Sequence, residues 1–315
     1  MDVLLVGLGS TTGLRRAEDA LAASLERAGA SVAVARAAPQ PDVRTLAYTD
    51  LRWARAARHA AKAALRDHDP RAVLYYTTTA ALLWPRPGAI RFDTLAADSR
   101  PGRHGFWQRP VEARRLRATP LVVPSSADMR FPTGVVVPPA VDPSGPGLPR
   151  SIDAITYGAN PHKKGLDRVL AAWARARREG EELVVAGLDG DDGDGVRYAG
   201  ALDGGAYRAL LRRSRVFVCA PRWEDFGIAQ LEALADGCRL VTTYAPGPFV
   251  ALPLARALDA RLVARDVDGL TTALRTALDE PDASYASRAA PLIAPYSSTS
   301  VDALVAERLL PALLG

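Results

Sequence analysis

The chain has 315 residues, of which 48% are hydrophobic, so it is long enough to form two domains with separate cores. Its 40 basic and 35 acidic residues give a net charge of +5 without a basic tail or stripe, which disfavours nucleic acid as a partner and modestly favours phosphates or a membrane surface. Cys219 and Cys238 lie in apolar segments, which argues against a disulfide framework and fits a reducing cytosol.

The first half alternates apolar runs, typical of buried strands, with stretches of helical periodicity. The run at 3–6 follows an acidic residue, which favours a strand over a signal peptide, and a glycine-rich turn leads from it into a helix. Further strands are predicted at 32–35, 73–76, 89–92, 121–123 and 135–137, and helices at 51–66 and 111–117. Such alternation predicts a parallel sheet covered by helices. No run approaches the roughly 18 apolar residues of a membrane-spanning helix.

Residues 138–149, rich in proline and glycine, interrupt this pattern and are predicted to be an interdomain linker. The alternation then restarts, with a helix over 165–178 and strands at 154–157, 183–186, 216–219, 240–242 and 261–263. The expected fold is therefore α/β, with two Rossmann-like domains, 1–145 and 151–297, facing a cleft at the carboxyl ends of their strands. A helix is predicted over 298–315, with packing back on the N-terminal domain as one option.

Two carboxylates eight residues apart, Glu224 and Glu232, flank the start of the helix predicted after the strand at 216–219. Helical spacing places Glu232 on the face of the predicted apolar stripe, which consists of Ile228, Leu231 and Ala235. A carboxylate on such a face needs a hydrogen-bonding partner. Sugar hydroxyls or an arginine from a neighbouring element would each provide one.

Two strand-to-helix turns are candidate anion sites. At Phe226, Gly227 and Ile228 the first helical N–H groups lack helical partners, and Gly227 lets a ligand approach the backbone. The second turn carries Lys163 and Lys164 in a chain whose other cations, Lys62 apart, are arginines. Basic side chains at a helix N-terminus are disfavoured unless an anion is present. The alternative for the lysine pair is a solvated helix start.

Together these features resemble glycosyltransferase family 4, whose members have the GT-B fold and retain the anomeric configuration of the transferred sugar. Glu224 and Glu232 match the family's E-x7-E motif, and residues 164–167 match its Lys-Gly-x-Asp helix start. The wider match of the first motif consists of Pro221, Phe226-Gly227, Ala233-Leu234-Ala235 and Gly237. Weaker matches lie at 121–126 and 137–142.

The resemblance implies a role for each matched residue. Glu232 would bind the ribose of a nucleotide-sugar, Lys164 the diphosphate and Glu224 the transferred sugar, with the backbone of 226–228 nearby. Gly158 and Lys163 complete the implied donor site. The family needs no metal, because cationic side chains and helix N-termini stabilise the departing diphosphate. No cofactor is therefore expected beyond the nucleotide-sugar itself.

The sequence departs from the family pattern at two informative positions. Ala159 follows Gly158 where the family usually has an arginine that partners the lysine, which leaves Lys163, His162 or a distant arginine as substitutes. Asp93 follows the strand at 89–92 where many members place a histidine near the reacting carbon. We therefore take Asp93, with Glu224, as a candidate catalytic residue, the alternative for Asp93 being a strand-end cap.

Two loops of the first half are candidates for contact with acceptor or diphosphate. Gly9, Ser10 and Thr11 belong to the first turn, whose glycine spacing does not match a dinucleotide-binding motif. His104 belongs to a polar loop that follows Asp93. The alternatives are an ordinary tight turn and a surface loop. The acidic run 189–195 lacks the ligand spacing of a calcium loop, and no metal site is predicted.

The sequence thus predicts a metal-independent, hexosyltransferase-like enzyme located in the cytoplasm, with peripheral contact to the inner membrane face as an option. Its expected partners are a nucleotide-sugar and a glycan, lipid or small-molecule acceptor. A noncatalytic nucleotide-sugar or glycan-binding protein of the same fold is the main alternative. A sugar-nucleotide epimerase is a third hypothesis.

Overall fold

The computed structural model describes residues 1–41, 43, 45–127 and 134–315. These form two compact units. The N-terminal unit consists of residues 1–140 and 298–315, and the C-terminal unit of residues 141–297. The division at residue 140 falls within the segment predicted to be the linker, and the last 18 residues belong to the N-terminal unit.

The N-terminal unit is built on a parallel sheet with the strand order β2-β1-β3-β4-β5. Its strands are β1 (Val3–Gly7), β2 (Val32–Arg36), β3 (Ala72–Tyr75), β4 (Ala89–Phe92) and β5 (Val122–Pro124). Its first helices are α1 (Thr12–Arg27), α2 (Leu46–Asp67), α3 (Thr78–Ala81), α4 (Ala96–Ser99) and α5 (Gln108–Ala118), with a 3-10 turn at Gly102–Gly105. All five residues of β1 are buried, as expected for a strand covered on both faces.

The C-terminal unit is also built on a parallel sheet, with the order β11-β10-β9-β6-β7-β8. Its strands are β6 (Ile152–Tyr157), β7 (Leu183–Ala186), β8 (Val196–Tyr198), β9 (Ser214–Cys219), β10 (Arg239–Thr243) and β11 (Val263–Ala264). Its helices are α6 (Pro161–Lys164), α7 (Leu166–Ala176), α8 (Gly204–Arg213), α9 (Ile228–Ala235), α10 (Ala251–Leu258), α11 (Val267–Asp279) and α12 (Tyr285–Ile293). The prediction of a parallel α/β sheet in each half is confirmed.

The C-terminal segment is helical, with α13 (Ser298–Leu304), a π-helical turn (Val305–Leu309) and α14 (Leu310–Leu314). Val301, Val305 and Leu309 share an apolar cluster with Leu21 and Leu25 of α1. The π-helical turn lies immediately before Pro311, which has no N–H to continue an α-helical ladder. Among the described residues, no helix combines the length and apolar character needed to cross a bilayer.

Two predicted strands are wrong. Residues 135–137 form no strand, although the N–H groups of Val135 and Val137 donate to the carbonyls of Val122 and Pro124 at 3.1 and 2.9 Å. The prolines that follow supply no N–H to extend this pairing. Residues 260–262 form a 3-10 turn, because the Asp259 carboxylate accepts the Arg261 N–H at 3.0 Å, and β11 begins only after it.

Candidate functional site

The two sequence motifs of the second half lie at the same edge of the C-terminal sheet. β6 and β9 are neighbouring parallel strands, so the turns that follow them leave at the same carboxyl edge. The Arg222 N–H donates to the Lys163 carbonyl at 2.9 Å and links the two turns. Strand pairing thus brings together motifs that are 60 residues apart in the chain.

Gly165 allows the two turns to approach closely. Its φ is +64°, and a Cβ added there would lie 1.9 Å from the Ala220 carbonyl oxygen. A residue with a side chain would therefore meet both backbone strain and a steric clash. This explains the glycine of the Lys-Gly-x-Asp match, since it brings the start of α7 against the end of β9.

Glu224 is the centre of a buried hydrogen-bonding cluster. It is 4% exposed. The Lys164 Nζ donates to both its carboxylate oxygens, at 2.9 and 2.8 Å, and the Gln230 Nε2 donates to Oε2 at 2.9 Å. A buried carboxylate requires such paired donors, and charge-assisted bonds of this kind are among the stronger ones in proteins. Sequence analysis did not single out Gln230.

The backbone around Glu224 is fixed by the turn after β10. The Glu224 N–H donates to the Pro246 carbonyl at 3.1 Å. Gly247 has a φ of +107°, and a Cβ there would lie 2.1 Å from the Glu224 carbonyl oxygen. The turn after β10 therefore supports the acidic motif through its backbone.

The neighbouring acid, Asp225, repeats the lysine pairing. Lys163 forms an ion pair with it, and the Trp223 Nε1 donates to its other oxygen at 2.7 Å. Both side chains of this ion pair are more exposed than Lys164 and Glu224, at 34% and 21% against 21% and 5%. The two lysines therefore occupy different environments, and Lys164 is the one directed into the buried cluster.

Helix α9 begins beside this cluster. Gly227 precedes it with a φ of +93°, and no side chain of the described residues caps its first turn. Phe226 is buried and packs edge-on against Tyr296, with ring centroids 6.0 Å apart. The start of α9 is thus rigidly anchored while its first N–H groups lack a side-chain acceptor, which is the arrangement predicted for an anion site.

Glu232 lies one helical turn after Ile228 on a half-buried face of α9. Of the stripe predicted from Ile228, Leu231 and Ala235, Leu231 is fully buried, and Ile228 and Ala235 are partly buried and pack against the same core. The buried residues of α9 are Gln230, Leu231, Ala233 and Leu234. Gln230 is buried because it bonds to Glu224, and the side chain of Glu232 stays partly exposed.

An arginine from a neighbouring helix lies beside Glu232. This was one of the two kinds of partner that the sequence suggested for this carboxylate, the other being sugar hydroxyls. The Arg208 Nη1 of α8 lies 3.6 Å from the Glu232 Oε1. The Arg208 Nε also pairs with Asp236 at 2.6 Å, and its Nη2 donates to the Asp142 carbonyl at 2.7 Å. Sequence reasoning had no signal for this arginine, because its partners are distant in the chain.

A second arginine that sequence analysis did not single out, Arg222, links the turn after β9 to the turn after β6. The Arg222 guanidinium makes two bonds of 2.7 Å to Asp167 and one of 2.9 Å to the His162 carbonyl. The hydrogen bonds from Arg222 lower the pKa of Asp167 to about 2. Gly158, at the end of β6, is held by its own N–H, which donates to the Ala186 carbonyl at 2.7 Å.

The first loop of the N-terminal unit is held by a buried acid. Glu18 of α1 is 0% exposed and accepts the N–H groups of Leu8 and Gly9 at 2.8 and 3.0 Å. The Arg36 Nε donates to its other oxygen at 3.0 Å. Thr11 caps α1 by accepting the Leu14 N–H at 3.1 Å. Many of the polar groups of this loop are therefore already hydrogen-bonded within the unit, and Ser10 and Thr11 are its exposed residues.

The remaining candidates of the N-terminal unit lie in two places. Asp93 directly follows β4 and is half-buried. His104 is exposed in the 3-10 turn at Gly102–Gly105.

Cys219 and Cys238, in the C-terminal unit, are buried, and burial raises the pKa of each thiol to about 12. Both cysteines are therefore protonated, small core residues rather than nucleophiles.

The site lies inside a segment that matches a known family. Residues 153–280 match the model for "Glycosyl transferases group 1". This match covers most of the C-terminal unit. Glycogen synthases of two Mycobacterium tuberculosis strains, CDC 1551 and H37Rv, are 32% identical over 146 residues. That alignment covers 42% of this chain and 35% of each mycobacterial enzyme, so the chain spans about a third of their length.

Solved structures match over nearly the whole chain. WaaG, a glycosyltransferase of lipopolysaccharide biosynthesis, aligns over 100% of both chains with a TM-score of 0.73 and 16% identity. Sucrose-phosphate synthase from Thermosynechococcus elongatus aligns over 96% of both with a TM-score of 0.73 and 15% identity. Anabaena HepE, solved with UDP and glucose, gives a TM-score of 0.68 at 16% identity over 98% of this chain and 99% of its own. The chain has the GT-B fold.

Proposed function

We propose that this protein is a retaining glycosyltransferase of the family 4 type that takes a sugar from a nucleotide-diphosphate sugar. The observation that carries the proposal is the buried Lys164–Glu224–Gln230 cluster beside the uncapped start of α9, within the segment that matches the group 1 family. This arrangement combines a cation, a helix N-terminus and a carboxylate at one edge of a sheet. Those are the groups needed to hold a diphosphate and a sugar.

The lysine and the helix start would bind the diphosphate. When a diphosphate enters, Lys164 exchanges its bond to Glu224 for a phosphate oxygen, and the N–H groups of 227–229 supply further positive potential. Both groups stabilise the negative charge that develops on the leaving diphosphate. Lys163 would support this from its more exposed position. We propose that the protein needs no metal and no cofactor for this step.

The freed carboxylate of Glu224 would then position the sugar. After Lys164 turns to the diphosphate, a Glu224 oxygen can accept a hydroxyl of the transferred sugar while Gln230 keeps the other oxygen in place. In the absence of donor, Lys164 and Glu224 would thus satisfy each other's charge, and each would pair with the donor once it binds. Orientation of this kind holds the reacting carbon for attack and accounts for a large share of catalytic rate in group transfer.

Glu232 would accept the ribose hydroxyls, since its side chain is 23% exposed on the open face of α9. Asp93 would accept a hydroxyl of the sugar or act as a base. Gly9, Ser10, Thr11 and His104 would contact the diphosphate or the acceptor, which we propose to be a glycan, a lipid or a small molecule. The presence of UDP and glucose in the HepE structure supports a uridine nucleotide-sugar as the first donor to test.

Thermal unfolding against a panel of nucleoside diphosphates and their hexose conjugates tests this proposal. A ligand at 100 times its dissociation constant adds about 2.7 kcal/mol to the native state, which is readily seen as a rise in Tm. We expect one nucleotide to raise the Tm of the wild type. The rise should be lost in Glu232→Ala and retained in Glu179→Ala, which replaces an exposed acid of the same unit. If no nucleotide raises Tm, or Glu232→Ala responds like the wild type, the donor assignment is wrong.

A noncatalytic binding protein is the second candidate function, and Ala159 in place of the family arginine is the observation that favours it. Incubation with the donor selected by the panel separates the two. A transferase releases the nucleoside diphosphate by transfer or slow hydrolysis, whereas a binding protein shows saturable affinity without release. An epimerase would change the sugar without any acceptor.

A further inference from the structure

A buried arginine of the N-terminal unit takes no part in the proposed reaction. Arg91 lies on β4 and is 4% exposed. Within the part of the chain that the structure describes, its guanidinium stacks on Tyr76, with Cζ 4.4 Å from the ring centroid, and forms no ion pair or hydrogen bond. A largely buried guanidinium whose five N–H groups have no protein acceptor is costly to keep.

The guanidinium borders a cavity. The cavity volume is about 30 Å³, with a mouth open to solvent, and its walls are α1, the start of α13, Tyr76 and residues 137–140. All of its lining residues belong to the N-terminal unit.

The acids nearest this cavity already have partners. Asp302 accepts two bonds from Arg27, at 2.7 and 2.8 Å, and one from the Ser24 hydroxyl at 2.6 Å. Burial raises the pKa of Tyr76 to about 12, so its phenol carries no charge at neutral pH. Glu18 and Asp93 are also close enough to act electrostatically on Tyr76, but Glu18 is bonded to Leu8, Gly9 and Arg36. No described carboxylate forms an ion pair with Arg91, and the stacking on Tyr76 offsets only part of its lost hydration.

We propose that this cavity binds a small oxyanion, through a carboxylate or phosphate group that pairs with the Arg91 guanidinium. The planar guanidinium forms two parallel bonds with either kind of group, and a site with restricted access to water strengthens them. The bound anion fastens β4 to residues 137–140 and to the start of α13. None of the residues that line this cavity is one to which we assign a contact with the donor or the acceptor, although Asp93 lies two residues after Arg91.

Thermal unfolding of the full chain in inorganic phosphate and in acetate, at constant ionic strength set with sodium chloride, tests the proposal. We expect a saturable rise in Tm with at least one probe, of roughly 5 °C at a hundredfold excess over its dissociation constant. The rise is lost in Arg91→Met, which keeps an unbranched apolar side chain over Tyr76. A response to both probes indicates the shared oxyanion chemistry, and a response to one identifies the class.

Three further variants make the result decisive. Arg117→Met removes an exposed arginine of the same unit and retains the rise. Lys164→Gln also retains it, which separates this site from phosphate bound at the proposed donor site. Without either probe, Arg91→Met unfolds at a Tm equal to or above that of the wild type, because an unpaired buried charge has been removed. Arg91→Lys keeps the positive charge but lacks the planar guanidinium that makes two parallel bonds, so the rise in Tm should be smaller than in the wild type.

The proposal is overturned if Tm of the wild type does not respond to phosphate or acetate. It is equally overturned if Arg91→Met, or Arg91→Lys where the methionine variant does not fold, responds as strongly as the wild type.

Discussion

The two units each bury a carboxylate near the carboxyl edge of their sheet, and the two acids are held in different ways. Glu18 is bonded by two backbone N–H groups of the loop that follows β1, and by Arg36. Glu224 is bonded by the side chains of Lys164 and Gln230. Backbone donors in a tight turn stay where the chain places them, whereas a lysine side chain can turn to another acceptor.

This difference separates an architectural acid from a candidate functional one. Burial is similar, at 0% and 4% exposed, so burial alone would assign both acids the same role. Glu18 completes a loop, and its removal is expected to cost stability. Glu224 is paired with Lys164, whose side chain can turn to bind a ligand instead, so the removal of Glu224 is expected to lower activity.

The largest expected effect is the loss of stability in Glu18→Ala. The substitution leaves the N–H groups of Leu8 and Gly9 without their acceptor and Arg36 without its buried partner. Breaking a buried pair in this way lowers the free energy of unfolding by about 3–5 kcal/mol, measured by urea denaturation. Asp19→Ala removes an exposed partner of the same arginine and should cost less than about 1 kcal/mol. Equal losses in the two variants would contradict the architectural role.

Glu224→Gln tests the other side of the comparison. It keeps the size of the side chain and one acceptor oxygen, but it loses the negative charge that bonds to Lys164 and that we propose binds the sugar. We expect kcat for nucleoside diphosphate release to fall about 10²- to 10³-fold. Asp225→Asn, in the more exposed pair with Lys163, is the matched control and should stay within about tenfold. A Glu224 variant that loses stability but keeps its kcat would make this acid architectural as well.

The two lysines provide a smaller contrast within the C-terminal unit. Lys164→Met removes a charge-assisted bond to the diphosphate and should raise the dissociation constant of the nucleoside diphosphate about tenfold. Lys163→Met should change it by less than about threefold, because Lys163 and Asp225 are the more exposed pair. Calorimetric titration of both variants measures the difference. Equal effects would mean that the diphosphate does not distinguish the buried lysine from its neighbour.

The sequence was informative where function depends on local spacing. The eight-residue separation of Glu224 and Glu232 and the adjacent lysines are readable without a structure, and so is the alternation that gives two parallel sheets. Their partners were not readable, because Arg208 and Arg222 reach carboxylates through strand order and helix packing. Glu18 and Arg91 were also missed. In the sequence, Glu18 resembles a solvent-facing acid of an amphipathic helix. Arg91 is a single polar residue in a short apolar strand.

The smallest predicted effect concerns the outer clamp between Arg222 and Asp167. Arg222 lowers the pKa of Asp167 from 3.8 to about 2, so the stabilisation is present above the unfolded pKa and is lost as the pH falls from about 4 towards 2. The Asp167 side chain is 62% exposed, which limits its contribution to about 0.5 kcal/mol. Urea unfolding of wild type and Asp167→Asn at pH 6, 4 and 3 should therefore show a small difference that shrinks at the lowest pH. A difference that grows with acidity would reverse the sign and show that Arg222 does not hold the carboxylate in its charged form.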